Sequence, residues 1–206
     1  MNFLAFQQAF RERDVIGVQD IFKVFPQFDT RRLVEWQQKG YLQKLINKYY
    51  TWPDKPLSEG RLFFTANRLC SPSYVSGWSA LRWHGFIPEG VYQVTSVTTK
   101  QTHYFDTDFG RFGYQHLKPA LFFGYEPMQV ATHHFVMASP EKALLDTFYL
   151  TPMLKDSLDM DGLRLNCEHI KTGCDLDKLN AYTEAVGNNR VSKLVKILNK
   201  RLYDFA

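Results

Sequence analysis

Two prolines three positions apart, Pro53 and Pro56, constrain this chain more than any other feature. Proline has no backbone N–H and a fixed φ, so neither a helix nor a paired strand runs through Pro53-Asp54-Lys55-Pro56. The segment 53–57 reads as a short, stiff linker, which divides the chain into a small unit, 1–52, and a larger one, 58–206. Both have material for a core, because 45% of the 206 residues are hydrophobic and 16% aromatic, a composition that excludes a disordered or fibrous protein. No apolar run approaches the roughly 20 residues that span a bilayer, so no membrane partner is expected. Met1-Asn2-Phe3-Leu4 lacks the basic-then-apolar pattern of a leader, and Cys70, Cys167 and Cys174 are odd in number and too few to staple the chain. The expected setting is a reducing, cytoplasmic one.

The first 52 residues predict three short helices and a hairpin. Asn2 can cap a helix whose Phe3, Phe6 and Phe10 share one side. A second helix follows Gly17, with Val18, Ile21, Phe22 and Phe25 turned inward, and stops at Pro26. The third opens at Asp29, whose carboxylate can accept from first-turn amides, and closes at Gly40. Leu33 and Trp36 face inward there, leaving Thr30, Arg31, Glu35 and Gln38 outward and Arg32 at the boundary. Tyr41 to Trp52 then gives two β-favouring runs around a turn in which Asn47 can take positive φ, with a basic tip.

Three helices and a hairpin within this span are the plan of a winged helix-turn-helix, whose third helix would enter the major groove of double-stranded DNA. Arg31 or Arg32 can reach guanine acceptors, and Gln38 is of the type that pairs with adenine. Thr30, Lys44, Asn47 and Lys48 suit backbone phosphates, contacts that fix position and affinity without reading sequence. Residues 1–58 hold nine Lys or Arg against six acids, residues 59–160 eight against nine, and residues 161–206 eight against six. Basic ends fit a polyanion-binding module, and equally a solvated surface; a small helical domain that binds protein or nothing is the alternative.

Beyond the linker an α+β unit is expected. Ser58 caps a helix through Leu69, a second helix covers Ser76 to His84, and strands fit 91–98, 102–105, 111–117, 121–123 and 130–138. Ser139-Pro140-Glu141 starts a further helix, and the rest is helical with a break at Gly187-Asn188-Asn189. The segment Arg190 to Leu202 is amphipathic, its stripe of Val191, Leu194, Val195, Leu198 and Leu202 core-facing, with Arg190, Lys193, Lys196 and Lys200 opposite, either solvated or docking an acidic partner.

Enzyme chemistry finds little support. Asp106 and Asp108 have the pairing that holds Mg²⁺ in phosphoryl-transferring enzymes, so a metal-dependent nuclease or nucleotidyltransferase-like enzyme is the alternative reading. Nucleotidyltransferases also need an upstream glycine-serine turn, however, and Val94 to Lys100 has no glycine; a tight turn explains the two acids equally well. His133 and His134 on one strand point to opposite faces. Cys167, His169 and Cys174 lack structural-zinc spacing, and Glu141-Lys142 fits a helix start better than a nuclease strand. Phosphate loop, nucleophile elbow and dinucleotide fingerprint are missing, so no enzyme and no cofactor is expected.

Two separated segments carry a family resemblance: Tyr74-Val75-Ser76-Gly77-Trp78-Ser79-Ala80-Leu81-Arg82-Trp83-His84-Gly85 and Ser139-Pro140-Glu141-Lys142-Ala143-Leu144-Leu145-Asp146. With the N-terminal pattern before them, residues 1–150 resemble the AbiEi family of antitoxin-type transcriptional regulators from phage-defence operons, Val75 standing where isoleucine is commoner. The resemblance implies a bipartite protein in which a winged helix binds operator repeats and represses its own operon. The second domain would counter a nucleotidyltransferase-like toxin as a type IV antitoxin, without needing a stable complex with it. The region after residue 150 is shorter than in the family.

Overall fold

Asn2 begins the fold by accepting from the Ala5 amide at 3.0 Å, which starts α1 (Phe3–Phe10) with Phe6 and Phe10 fully buried. In the computed structural model, which describes residues 2–204, β1 (Ile16–Gly17), α2 (Val18–Val24), α3 (Arg31–Gln38), β2 (Gln43–Ile46) and β3 (Tyr49–Thr51) follow. The strands form an antiparallel sheet in the order β1-β3-β2. Phe6, Phe10, Ile21, Leu33, Trp36 and Trp52 make one apolar cluster under it. Rings account for most of that cluster: Phe6 lies 4.8 Å from Trp36 and 4.9 Å from Phe10, centroid to centroid. Burying such a side chain stabilises by about 1.5–3 kcal/mol, and the polar end of Trp52 is satisfied because its Nε1–H donates to the Phe10 carbonyl.

Three local expectations change. Ile16 and Gly17, ahead of the helix expected after Gly17, form a two-residue strand, β1, paired with Tyr50 and Tyr49. Phe22, expected inside, is 40% exposed, since α2 ends at Val24 and turns only Ile21 fully inward. At the hairpin tip Lys48, not Asn47, takes positive φ (70°), and a bulge lies between Lys44 and Ile46.

The second unit is built on a six-stranded mixed sheet. After α4 (Glu59–Leu69) come β4 (Ser73–Val75), α5 (Gly77–Trp83), β5 (Gln93–Thr98), β6 (His103–Thr107), β7 (Gly110–His116), β8 (Tyr125–Val130) and β9 (His133–Ala138). The strand order is β6-β7-β5-β4-β9-β8. Helices α6 (Pro140–Leu150), α7 (Ser157–Asp161), α8 (Cys167–Gly173), α9 (Leu176–Val186) and α10 (Asn189–Asp204) complete it. Sequence patterning missed β4 and β8; no strand forms at 121–123, where a 3₁₀ turn covers Pro119–Leu121, and the strand expected at 130–138 begins only at His133, Val130 ending β8.

Cross-strand register sorts the sheet into two faces. Thr95 lies opposite Gly113, which lies opposite Tyr104, so the three share one face with Gln93 and Val97. Against that face pack α5 and α6: Thr95 Oγ1 donates to the Ser76 carbonyl at 2.5 Å and the Tyr74 hydroxyl donates to Asp146 at 2.9 Å. The opposite face carries α4, whose Ala66 carbonyl accepts from Tyr114 Oη at 2.7 Å. Among the described residues no helix is long and apolar enough to cross a membrane.

The two units meet across α4. Arg61, only 2% exposed, donates to the carbonyls of Lys55, Pro56 and Trp52 and to Thr51 Oγ1, with its Nε 3.4 Å from Asp14 Oδ1 and its guanidinium over the Phe109 ring. Val15 and Leu45 of the N-terminal unit pack into the larger apolar cluster.

Candidate nucleic-acid interface

The residues expected to face DNA are carried by α3 and the β2–β3 turn. Leu33 and Trp36, three apart and 1% and 2% exposed, fix which side of α3 is buried. Their spacing leaves Arg31, Val34, Glu35 and Gln38 exposed and Arg32 half-buried. Thr30 is exposed at the N-cap position and its side chain makes no capping bond. Asp29 supplies that bond instead, accepting from the Arg31 amide at 3.0 Å.

The same carboxylate holds the Arg31 guanidinium, with Nε at 3.0 Å and Nη2 at 2.9 Å. This pair draws the Asp29 carboxyl below its ordinary range through the Arg31 hydrogen bond, and raises the guanidinium in turn. Arg31, its side chain 90% exposed, is therefore committed to its own helix start in a pair that solvent screens. Glu35 is likewise tied to Lys39 at 2.6 Å. Among the described residues Arg32 and Gln38 have no such side-chain partner, and neither do Lys44, Asn47 and Lys48. These three are exposed in β2 and at the turn, where the Lys48 carbonyl accepts from the Val18 amide at 2.9 Å. The helix and the turn thus present exposed polar side chains, among them Arg31, Gln38, Lys44, Asn47 and Lys48, with Arg32 half-buried at the boundary.

The other constellations separate. Asp106 pairs with Arg111 at 3.3 Å, and both Asp106 and Asp108 are exposed. Among the described residues no group of three His, Cys, Asp or Glu side chains converges as a metal site would need. His133 turns toward Asp14, its Nε2 3.2 Å from Oδ2, while His134 is exposed. Glu141 accepts from Ser139, the Asp175 amide and Lys178; burial pushes its carboxyl up, but these donors outweigh it and leave it lowered. Arg190, expected on the basic face of the last helix, instead turns its guanidinium onto the carbonyls of Phe148, Tyr149, Thr151 and Leu154, at 2.8–3.0 Å, and closes the end of α6. Lys193, Lys196 and Lys200 remain exposed.

Sequence reasoning flagged both halves of one further cluster without foreseeing that they meet. Lys142 and Asp146, one turn apart on α6 and each 1% exposed, form an ion pair, and Asp146 Oδ2 also accepts from Tyr74 Oη and, at 2.7 Å, from Ser76 Oγ. Burial raises the Asp146 carboxyl, opposed first by Lys142 and then by the two hydroxyls, and it raises the Tyr74 phenol. Of the same segments, His84 donates Nε2–H to the Ala138 carbonyl at 2.9 Å, and Gly85 makes its turn at φ 73°. The chain matches no known protein-family model and no curated protein.

Proposed function

We propose that the chain is a sequence-specific transcriptional regulator that binds operator double-stranded DNA and represses its own operon. Its N-terminal unit acts as a winged helix-turn-helix, with α3 as reading helix and the β2–β3 turn as wing. The observation that carries the reading is the outer side of α3, where, among the described residues, half-buried Arg32 and exposed Gln38 have no side-chain partner next to exposed Arg31 while Leu33 and Trp36 anchor the helix. Arg32 and Gln38 read bases, Arg31 does so after leaving Asp29, and Thr30, Lys44, Asn47 and Lys48 hold phosphates. The antitoxin role, against a nucleotidyltransferase-like toxin of a type IV phage-defence system, rests on the resemblance. Supporting it, the two segments that carry that resemblance are in contact through Tyr74, Ser76 and Asp146.

Fluorescence anisotropy on duplexes from upstream of the chain's own gene tests the DNA half. Replacing Arg32 or Gln38 by Ala weakens the operator complex by about 1–3 kcal/mol and random DNA by less. Lys48→Ala weakens all duplexes and lowers the magnitude of the salt slope by about one unit. Equal losses on operator and random DNA for Arg32→Ala, or an unchanged slope for Lys48→Ala, contradict the assigned roles. Growth rescue on co-expression with a toxin gene adjacent to this one tests the antitoxin half, and failure to rescue leaves a stand-alone regulator.

A further inference from the structure

The exposed side of α3 has a single apolar member, Val34. Arg31, Val34 and Gln38 follow one another at spacings of three and four residues, so they share a row along the helix, with Val34 at its centre. Val34 is 55% exposed, and among the described residues it belongs to neither apolar cluster. The helix is already anchored by Leu33 and Trp36, so the core does not need it. Two local rules are broken at this position. A β-branched residue is a weaker helix former than Lys, Gln or Glu, and an apolar side chain left in water gains nothing from folding. Such conflicts between sequence and local structure concentrate where a chain meets something outside itself.

The charges beside Val34 are already paired, Arg31 with Asp29 at 2.9 Å and Glu35 with Lys39 at 2.6 Å. The middle of the row is therefore neutral and offers a phosphate nothing. On the reading of α3 as the helix that enters the major groove, on which this inference rests, Val34 faces base edges. Those edges are donors and acceptors with one apolar exception, the C5 methyl of thymine. A hydrocarbon set against an amino or carbonyl group removes that group from water without a hydrogen bond in return, whereas against the methyl it buries two apolar surfaces at once. Gln38, one turn along the same row, is of the type that pairs with adenine, and an adenine brings a thymine in its own base pair. Side chains one turn apart are separated by about 6 Å, which is within two base-pair steps of about 3.4 Å.

We propose that Val34 is a specificity-determining residue that reads the C5 methyl of a thymine lying within two base pairs of the adenine read by Gln38. Fluorescence anisotropy of the full chain on the duplex from upstream of its own gene, with thymines replaced one at a time by deoxyuridine, isolates that methyl, because deoxyuridine keeps every hydrogen-bonding group of thymine. Replacement at one or two positions weakens the wild-type complex about fourfold, the effect of one buried methyl. Val34→Ser binds the thymine duplex about fourfold more weakly and no longer distinguishes deoxyuridine at those positions. Val24→Ser, which removes a comparably exposed valine at the end of α2, keeps the preference. Thermal melts confirm that both variants fold, and the comparison on the wild-type chain decides even without them. A wild-type complex indifferent to deoxyuridine at every position, a preference that survives in Val34→Ser, or one that is lost in Val24→Ser overturns the proposal. Each of these leaves the DNA reading standing, which Arg32→Ala and Lys48→Ala decide by themselves, whereas failure to bind any upstream duplex overturns both.

Discussion

Removing the charge of Arg61 while keeping its stem, as in Arg61→Met, tests how the two units are joined. Burial lowers the Arg61 guanidinium from its ordinary value, with Asp14 and Asp54 opposing. Four acceptors lose a donor in the variant. Two of them, the carbonyls of Lys55 and Pro56, lie in the linker where water reaches; Thr51 is fully buried, and Trp52 is 1% exposed. Thr51 Oγ1 keeps its own bond to the Asp14 carbonyl at 2.6 Å, so the Trp52 carbonyl is the main orphan. A dry, unsatisfied carbonyl costs about 1–3 kcal/mol, and removing one partner from a buried charged cluster costs about 3–5 kcal/mol in all. Asp14 retains Lys55 at 3.2 Å, which keeps the expected loss near the lower end, about 3 kcal/mol. Arg11→Met is the control: its exposed pair with Asp54, 2.7 Å long, is worth at most about 1 kcal/mol. Urea unfolding followed by tryptophan fluorescence measures both, and limited proteolysis reports opening of 53–57. A loss below 1 kcal/mol for Arg61→Met, or equal losses for the two variants, would refute the view that Arg61 anchors the linker.

Three further outcomes follow from single contacts. Burial lowers the pKa of His84, so the unfolded chain binds more protons at mildly acidic pH; stability present above about pH 6.5 falls as pH drops through that value toward the folded pKa, and His84→Gln, scanned by thermal melts, has a flatter profile in this window. Arg190→Met strips a partly buried donor from four carbonyls at the end of α6 and lowers stability by about 2–4 kcal/mol in urea; a loss no larger than that of Lys193→Met would show those carbonyls to be solvated instead. Gly85→Ala places a methyl 2.7 Å from His169 Nδ1 at φ 73°, so it destabilises by more than the roughly 1 kcal/mol of left-handed strain alone, and an unchanged melting temperature would contradict it.

What the sequence disclosed follows the range of the interactions involved. The caps at Asn2, Ser58 and Ser139 and the buried stripes of α1, α3 and α10 are local patterns of three or four residues, and each is legible because the partner sits within one turn. The strands β1 and β4 are short and owe their existence to neighbours far away in the chain, Tyr49 and Tyr50 for β1 and residues 96–98 for β4, while β8 pairs with the adjacent β9 but is polar and interrupted by Pro127. No periodicity marks them. The DNA-facing candidates were named by residue type, but the capture of Arg31 by Asp29 depends on a rotamer, and the diversion of Arg190 on a helix end 36 to 42 residues away. Gly113, a glycine inside a strand, signals close approach, and what approaches it is the Gln93 amide and the Tyr104 ring, contacts that no local pattern names.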